Sequence, residues 1–460
     1  MSTSHERNGN ELRILAPTAI LGYGFPQASF AAGLERDPEV LAVDAGSTDP
    51  GPYYLGAGVS FTDREAVKRD LRLMLSAGCS RGIPVIVGSA GGAGAAPHVA
   101  WTRAIVEEIA REERLHFRLA VIHADVSPRR LLDALRAGTL AALPPGPAPQ
   151  RAAIEASTHI VGQMGVEPFL RALEGGAHVI LAGRAYDPAV FAAVAMQRGY
   201  DAALALHLGK ILECAAIAAT PGSGSDCMLG ILRRDHFLVE PLNPARVCTV
   251  TSVAAHTLYE KSDPYHLAGP GGALDLTAAV FAQASARGVR VAGSRYVPSD
   301  PYTVKIEGAR PVGFRTIAIA GARDPVFIVR IEEILQSVRE RVADNFAAIP
   351  AADYRLLFHL YGKSGVMGAL EPVQEPASHE LGIVIEAVAK TQDLANTVCA
   401  FVRSTLLHAG YPGRISTAGN LAFPYSPSDF KAGEVFAFSL YHLLQVRDPC
   451  ALFPIEYVEI

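Results

Sequence analysis

No run of lysine and arginine breaks the chain, and the net charge is only −5 over 460 residues. A nucleic-acid partner is therefore a poor fit. No apolar stretch reaches the ~18 residues of a membrane span. The nearest, "LRILAPTAILGYGF", is short and is interrupted by Arg, Pro and Gly. The opening "MSTSHERNGNELR" lacks the basic-then-apolar order of a signal peptide, so residues 1–11 read as a disordered lead-in and the cytoplasm is the expected compartment. Cysteine is scarce: six residues, spread out, with no CxxC pair. That argues against a disulfide framework and against a cysteine zinc site. No GxSxG elbow occurs, and Cys214 lies among apolar residues with nothing to mark it as a thiolate. There is no internal repeat and no low-complexity tract.

What is present is a globular composition, half apolar and about a fifth charged, on a chain long enough for two or three domains. Residues 13–125 alternate apolar runs with helix-like segments. "RILAPTAIL", "EVLAVDAG", "IPVIVGSAG" and "FRLAVIHADVS" suit strands; "PQASFAAGLERD", "DREAVKRDLRLMLSAGCSRG" and "APHVAWTRAIVEEIAREER" suit helices. The Pro-rich "LPPGPAPQ" is a connection, after which "HVILAG" repeats the pattern. The alternation predicts an α/β fold: a Rossmann-like parallel sheet with helices on both faces, within residues 12–335. Its last part, from about 235, is strand-rich. A smaller α+β domain is expected over 350–460, with a helix near 390–408.

Chemistry is expected in the loops that follow strands. "VDAGSTDPGP" places Asp44 and Asp49 five residues apart after a strand. Turn formation is the structural account of those carboxylates; acid/base work is the functional one. "VIVGSAGGAGAAPHVA" is strand, glycine loop, helix. Ser89, Gly91 and Gly92, with Gly88 and Gly94, would cradle an anion at a helix N-terminus, unless the loop is only a tight turn. In "LAGRAYDPAVFAA", Arg184 suits a carboxylate or phosphate, while Asp187 before Pro188 suits a helix cap. Lys210 and Glu213 in "HLGKILECAA" share a helix face, as a solvated ion pair or as acid/base groups. His256 and Glu260 stand four apart in "AAHTLYEKSDPYH". On a helix they would make an acid/base pair, or two ligands of a divalent metal, although no third ligand is evident. The glycine loop follows a later strand, and the acidic residue expected about 20 positions past an NAD fingerprint does not stand at the helix's end in the right form, which disfavours a dehydrogenase.

The stretches "GYGFP", "VDAGSTDPGPYYLG", "GSAGG", "AGRAYDPA", "LEC", "AAHTLYE" and "DPY" together resemble the acyclic terpene utilization protein A family over about residues 12–335. "LYGKSGVMGALEP", "HELGIVIEAVAKTQDLA", "YPGRISTAGNLAFPYSPSD" and "YHLL" resemble the small domain that accompanies it. The resemblance implies a catabolic enzyme handling a small carboxylic acid or a branched acyl-CoA. Asp44, Asp49, Arg184, Asp187, Glu213, His256 and Glu260 fall inside the signature stretches.

These readings combine into an expectation. The strand-end loops should meet on one sheet edge. There Arg184, the glycine loop, Asp187 and Lys210 would hold an acid, and Asp44 or Asp49 would act as base or jointly hold a divalent cation. Glu213 or His256, with Glu260, would supply the acid. Asn420 and Ser428 would add polar contacts from the C-terminal domain. A lyase or hydratase is the expected class. An isomerase or epimerase, and a non-catalytic CoA- or nucleotide-binding subunit, are the alternatives. A homo-oligomer is possible.

Overall fold

The computed structural model describes residues 11–373 and 378–460. The expected lead-in therefore lies, but for Glu11, outside the described residues. The chain is mixed α/β. It divides into two compact units: the described residues up to Arg310 with Phe438–Ile460, and Pro311–Ala437.

The first unit is built on a ten-stranded sheet. Five strands at its heart are parallel, in the order Glu11–Ala16, Val40–Asp44, Val85–Gly88, Val179–Ala182, Arg118–Ile122. The sheet is not wholly parallel, as the alternation predicted. Met228–Arg233 adds antiparallel to Glu11–Ala16, followed outward by Phe237–Pro241 and two further antiparallel strands; Ile455–Glu459 closes the other side antiparallel to Arg118–Ile122. Two of the added pairs are hairpins, Met228–Arg233 with Phe237–Pro241 and Val280–Gln283 with Val289–Ala292, and short connections make antiparallel neighbours; the other antiparallel pairs join segments distant in the chain.

The period of two in these strands feeds two cores. Leu12, Ile14, Ala42, Ile86, Ala120 and Ile180 face one, with the helices Asp187–Gln197 and Ala202–Leu212. Leu15, Leu41, Val43, Val87, Val121 and Leu181 face the other, with Arg64–Arg81 and Ala96–Glu113. Both faces being covered explains why the parallel strands read as unbroken apolar runs. Arg64–Arg81 shows its start and stop in sequence: the Asp63 side chain accepts from the N–H groups of Glu65 and Ala66, and Gly82 ends it at φ +63°.

In the second unit, Tyr354–Tyr361 and residues 314–322 flank Leu381–Ala389 as antiparallel strands. The helices Ile331–Asn345 and Gln392–Leu407 share its core. Among the described residues no helix is long and apolar enough to cross a membrane.

Candidate functional site

Three neighbouring parallel strands end in Asp44, in Gly88 followed by Ser89, and in Ala182 followed by Gly183 and Arg184. The last two loops interlock through glycine. A Cβ on Gly94 (φ +68°) would lie 2.1 Å from the Arg184 backbone nitrogen, and one on Gly183 would lie 2.6 Å from the Gly94 carbonyl. That contact lets the Arg184 N–H donate to the Gly94 carbonyl at 3.2 Å and sets the position of Arg184.

The Arg184 side chain is 3% exposed and largely spoken for. Its Nε donates to Glu307 at 2.7 Å, and Nη1 to Asp187 at 3.1 Å, the Ala185 carbonyl at 3.0 Å and Ser89 Oγ at 3.2 Å. Glu307 is fully buried and also accepts from Thr48 Oγ1 at 3.0 Å and Lys305 Nζ at 2.8 Å. Burial pushes the Glu307 carboxyl up, but Arg184 and Lys305 more than offset this and hold it at about 2. Asp44 is buried beside this network. Its Oδ2 accepts from the Gly46 N–H at 3.1 Å and its Oδ1 has no partner. Burial, with Asp187 and Glu213 nearby, raises Asp44 well above the usual carboxylate range despite Arg184.

The second half of the site comes from the helix Ala202–Leu212. A Cβ on Gly209 would lie 2.4 Å from the Pro188 carbonyl, so this helix presses against the start of Asp187–Gln197. Lys210 and Glu213, both buried, form an ion pair, and Glu213 Oε2 is left without a partner. Burial, reinforced by Asp187, pushes the Glu213 carboxyl up to about 7 against the pull of Lys210 and Lys261. His256 stacks on Tyr259 at 5.4 Å, and burial together with Lys210 pushes it down to about 4. It is therefore neutral near pH 7.

A cavity of about 830 Å³ opens here, lined among others by Arg184, Asp187, Lys210, Glu213, Lys261 and Lys305. Tyr186, Pro188 and Leu443 contribute apolar wall. Charges of both signs beside partly apolar surface suit a small polar ligand.

Asp44, Ser89, Arg184, Asp187, Lys210 and Glu213 are thus brought together. Asp49 also lines the cavity but is exposed, its carboxylate accepting from Ser47 Oγ at 2.7 Å. Gly91 and Gly92 face His98 and Phe61 inside the protein. Three expectations need correcting. Asp187 does not cap its helix: Tyr186 occupies that position, and Asp187 spends an oxygen on buried Arg184, whose charge needs a counter-charge. The Lys210–Glu213 pair is buried, not solvated. His256 and Glu260 do not share a helix, because it ends at Thr257; His256 is buried, while Glu260 turns outward at φ +60° and lines the cavity. Asn420 belongs to the second unit, where its amide donates to the carbonyls of Leu406 and Ala409 at the end of a helix. Ser428, in the same unit, accepts from Arg403 at 2.7 Å.

Glu307, Lys305 and Lys261 escaped the sequence reading. A signal existed for the first two: in "YTVKIEG" the charges alternate with Val304 and Ile306, both fully buried, which puts both charged side chains on the opposite face of a covered strand. Among the described residues no three of His, Cys, Asp and Glu group as metal ligands.

The family model described as acyclic terpene utilisation family protein AtuA matches residues 63–226 and 237–427. No curated protein and no solved structure matches the chain.

Proposed function

The chain belongs to the acyclic terpene utilisation family, and from that premise we propose that it is a catabolic lyase or hydratase acting on a small carboxylic acid or its CoA ester. The reading takes the five parallel strands as a Rossmann-like core; the smaller companion domain expected over 350–460 corresponds for the most part to the second unit, Pro311–Ala437. One observation carries it: Glu213, a cavity-lining carboxyl held at about 7 with one oxygen unpartnered. A group that titrates at the working pH both takes and returns a proton efficiently.

In this mechanism Arg184 and Lys305 hold the anionic end of the substrate. Arg184 is positioned in advance by Glu307, Asp187 and Ser89, so little ordering cost remains at binding. Nη2 takes no part in those bonds and is the edge of the fork offered to a ligand. Glu213 then abstracts the proton beside the substrate carbonyl and returns it to the leaving hydroxyl. Lys210 steadies the carboxylate between the two transfers.

The test is solvent-deuterium exchange and hydration, followed by NMR, with a panel of 3-hydroxy and 2-oxo acids and their CoA esters. Glu213→Gln is expected to lower the rate by roughly 100-fold or more. As a base Glu213 works deprotonated, so the wild-type rate climbs as pH rises through about 7. Exchange without net product would move the assignment to an isomerase. Full turnover in Glu213→Gln would overturn the proposal.

A further inference from the structure

The chain has seven lysines against thirty-four arginines. Three of the seven, Lys210, Lys261 and Lys305, line the one cavity just described. What lysine adds over arginine is an amine that can lose its proton.

The three are not equivalent. Lys210 is paired with Glu213, and Lys305 with Glu307 at 2.8 Å. Among the described residues Lys261 has no carboxylate within ion-pairing distance and no hydrogen bond. Its nitrogen lies 5.8 Å from the centroid of the Tyr186 ring. Glu260, immediately before it, is held at φ +60°, a backbone conformation that non-glycine residues seldom adopt. The charged groups that face Lys261 come from three elements. Lys210 and Glu213 stand at the end of one helix, Asp187 at the start of another, and Lys305 on a strand. Burial and the two ammonium neighbours push the Lys261 amine down, and Glu213 and Asp187 pull it back only in part. The setting is that of a nucleophilic amine: half-buried, unpaired, and flanked by like charge.

We propose that Lys261 forms an imine with the carbonyl carbon of a 2-oxo acid bound in this cavity. The step balances without a further reactant. The neutral Nζ attacks the carbonyl carbon, whose oxygen takes a proton to give a carbinolamine. Glu213, lining the same cavity, protonates the hydroxyl, water leaves, and the C=N bond forms. Arg184 and Lys305 hold the carboxylate of the acid. This deepens the function proposed above and rests on it, since it uses the same cavity and the same proton carrier.

The experiment uses the full chain, glyoxylate as probe, and sodium cyanoborohydride to reduce the imine to a stable amine, with peptide mass spectrometry. Lys261 is expected to be labelled at least tenfold faster than the exposed Lys390 and Lys431. Its labelling should also persist to lower pH than theirs. Lys261→Met is expected to abolish the fast label while keeping the melting temperature, because the side chain makes no buried bond. Even labelling of all lysines, or preference for Lys210 or Lys305, would overturn the proposal. This is separable from the acid/base reading, which fails instead if Glu213→Gln exchanges and turns over the panel acids at the wild-type rate.

Discussion

Glu307 shows what one buried carboxylate does here. It carries no solvent contact yet stays ionised, because Arg184, Lys305 and Thr48 all donate to it. Removing its charge leaves partly buried Lys305 without a counter-charge and Arg184 with Asp187 alone, which costs about 3–5 kcal/mol. Glu307→Gln should therefore destabilise the protein by that amount at pH 7. Its folded-state value is depressed to about 2, so its contribution is complete above the ordinary glutamate value and is lost as pH falls through about 2. The gap between wild type and variant should narrow steadily below about pH 4.5. Urea denaturation at pH 7 and at pH 3 checks both; an equal gap at the two pH values would refute the account. Glu213 is the opposite case. Burial with Asp187 outweighs Lys210, so its carboxyl rises instead of falling. Two glutamates, each beside a cation, are driven apart by the number of donors around them.

At the scale of elements, glycines set the spacing of the site. Gly209 lets one helix touch the Pro188 carbonyl of another, and that contact keeps Asp187 close to Lys210 and Glu213. Gly209→Val would force the helices apart, since backbone atoms cannot give way. We expect a loss of about 3 kcal/mol and a drop in turnover of tenfold or more as Asp187 moves from Glu213. Calorimetry with kinetics on one variant reads both, and unchanged turnover would mean that the helix contact does not set the site. Helices and parallel strands were legible in sequence because their apolar periods are local. Arg64–Arg81 was expected as a helix from its period, and Asp63 and Gly82, which start and stop it, are local signals of the same kind. The end of the helix at Thr257 was not, because it depends on where His256 and Thr257 are buried.

At the scale of the whole molecule, the chain leaves the first unit at Arg310 and rejoins it at Phe438. Its last strand, Ile455–Glu459, then pairs with Arg118–Ile122, and Phe117 and Ile460 exchange backbone bonds at 3.2 and 3.0 Å. Arg118 also stacks over Tyr457 at 4.9 Å. Removing residues 455–460 would bare the edge of the ten-stranded sheet. We expect the melting temperature to fall by roughly 5 °C or more, given about 1 kcal/mol for each lost backbone bond. Light scattering should also show association. A truncated chain that melts like the full one would show this strand to be dispensable.

The sequence by itself determined the local features of this protein. These are the α/β alternation, the strand-end loops holding Asp44, Ser89 and Arg184, and the spacing that pairs Lys210 with Glu213. Each depends on periods of two or 3.6 residues, or on turn chemistry within a few positions. Only the tertiary structure decided which charges face one another. Glu307 reaches Arg184 across 123 residues of chain, and Thr48 across 259. No local pattern encodes such a partner. The same holds for protonation: the chain spells Glu213 and Glu307 alike, yet burial beside Asp187 with one hydrogen-bonding cation holds the first at about 7, and two hydrogen-bonding cations hold the second at about 2.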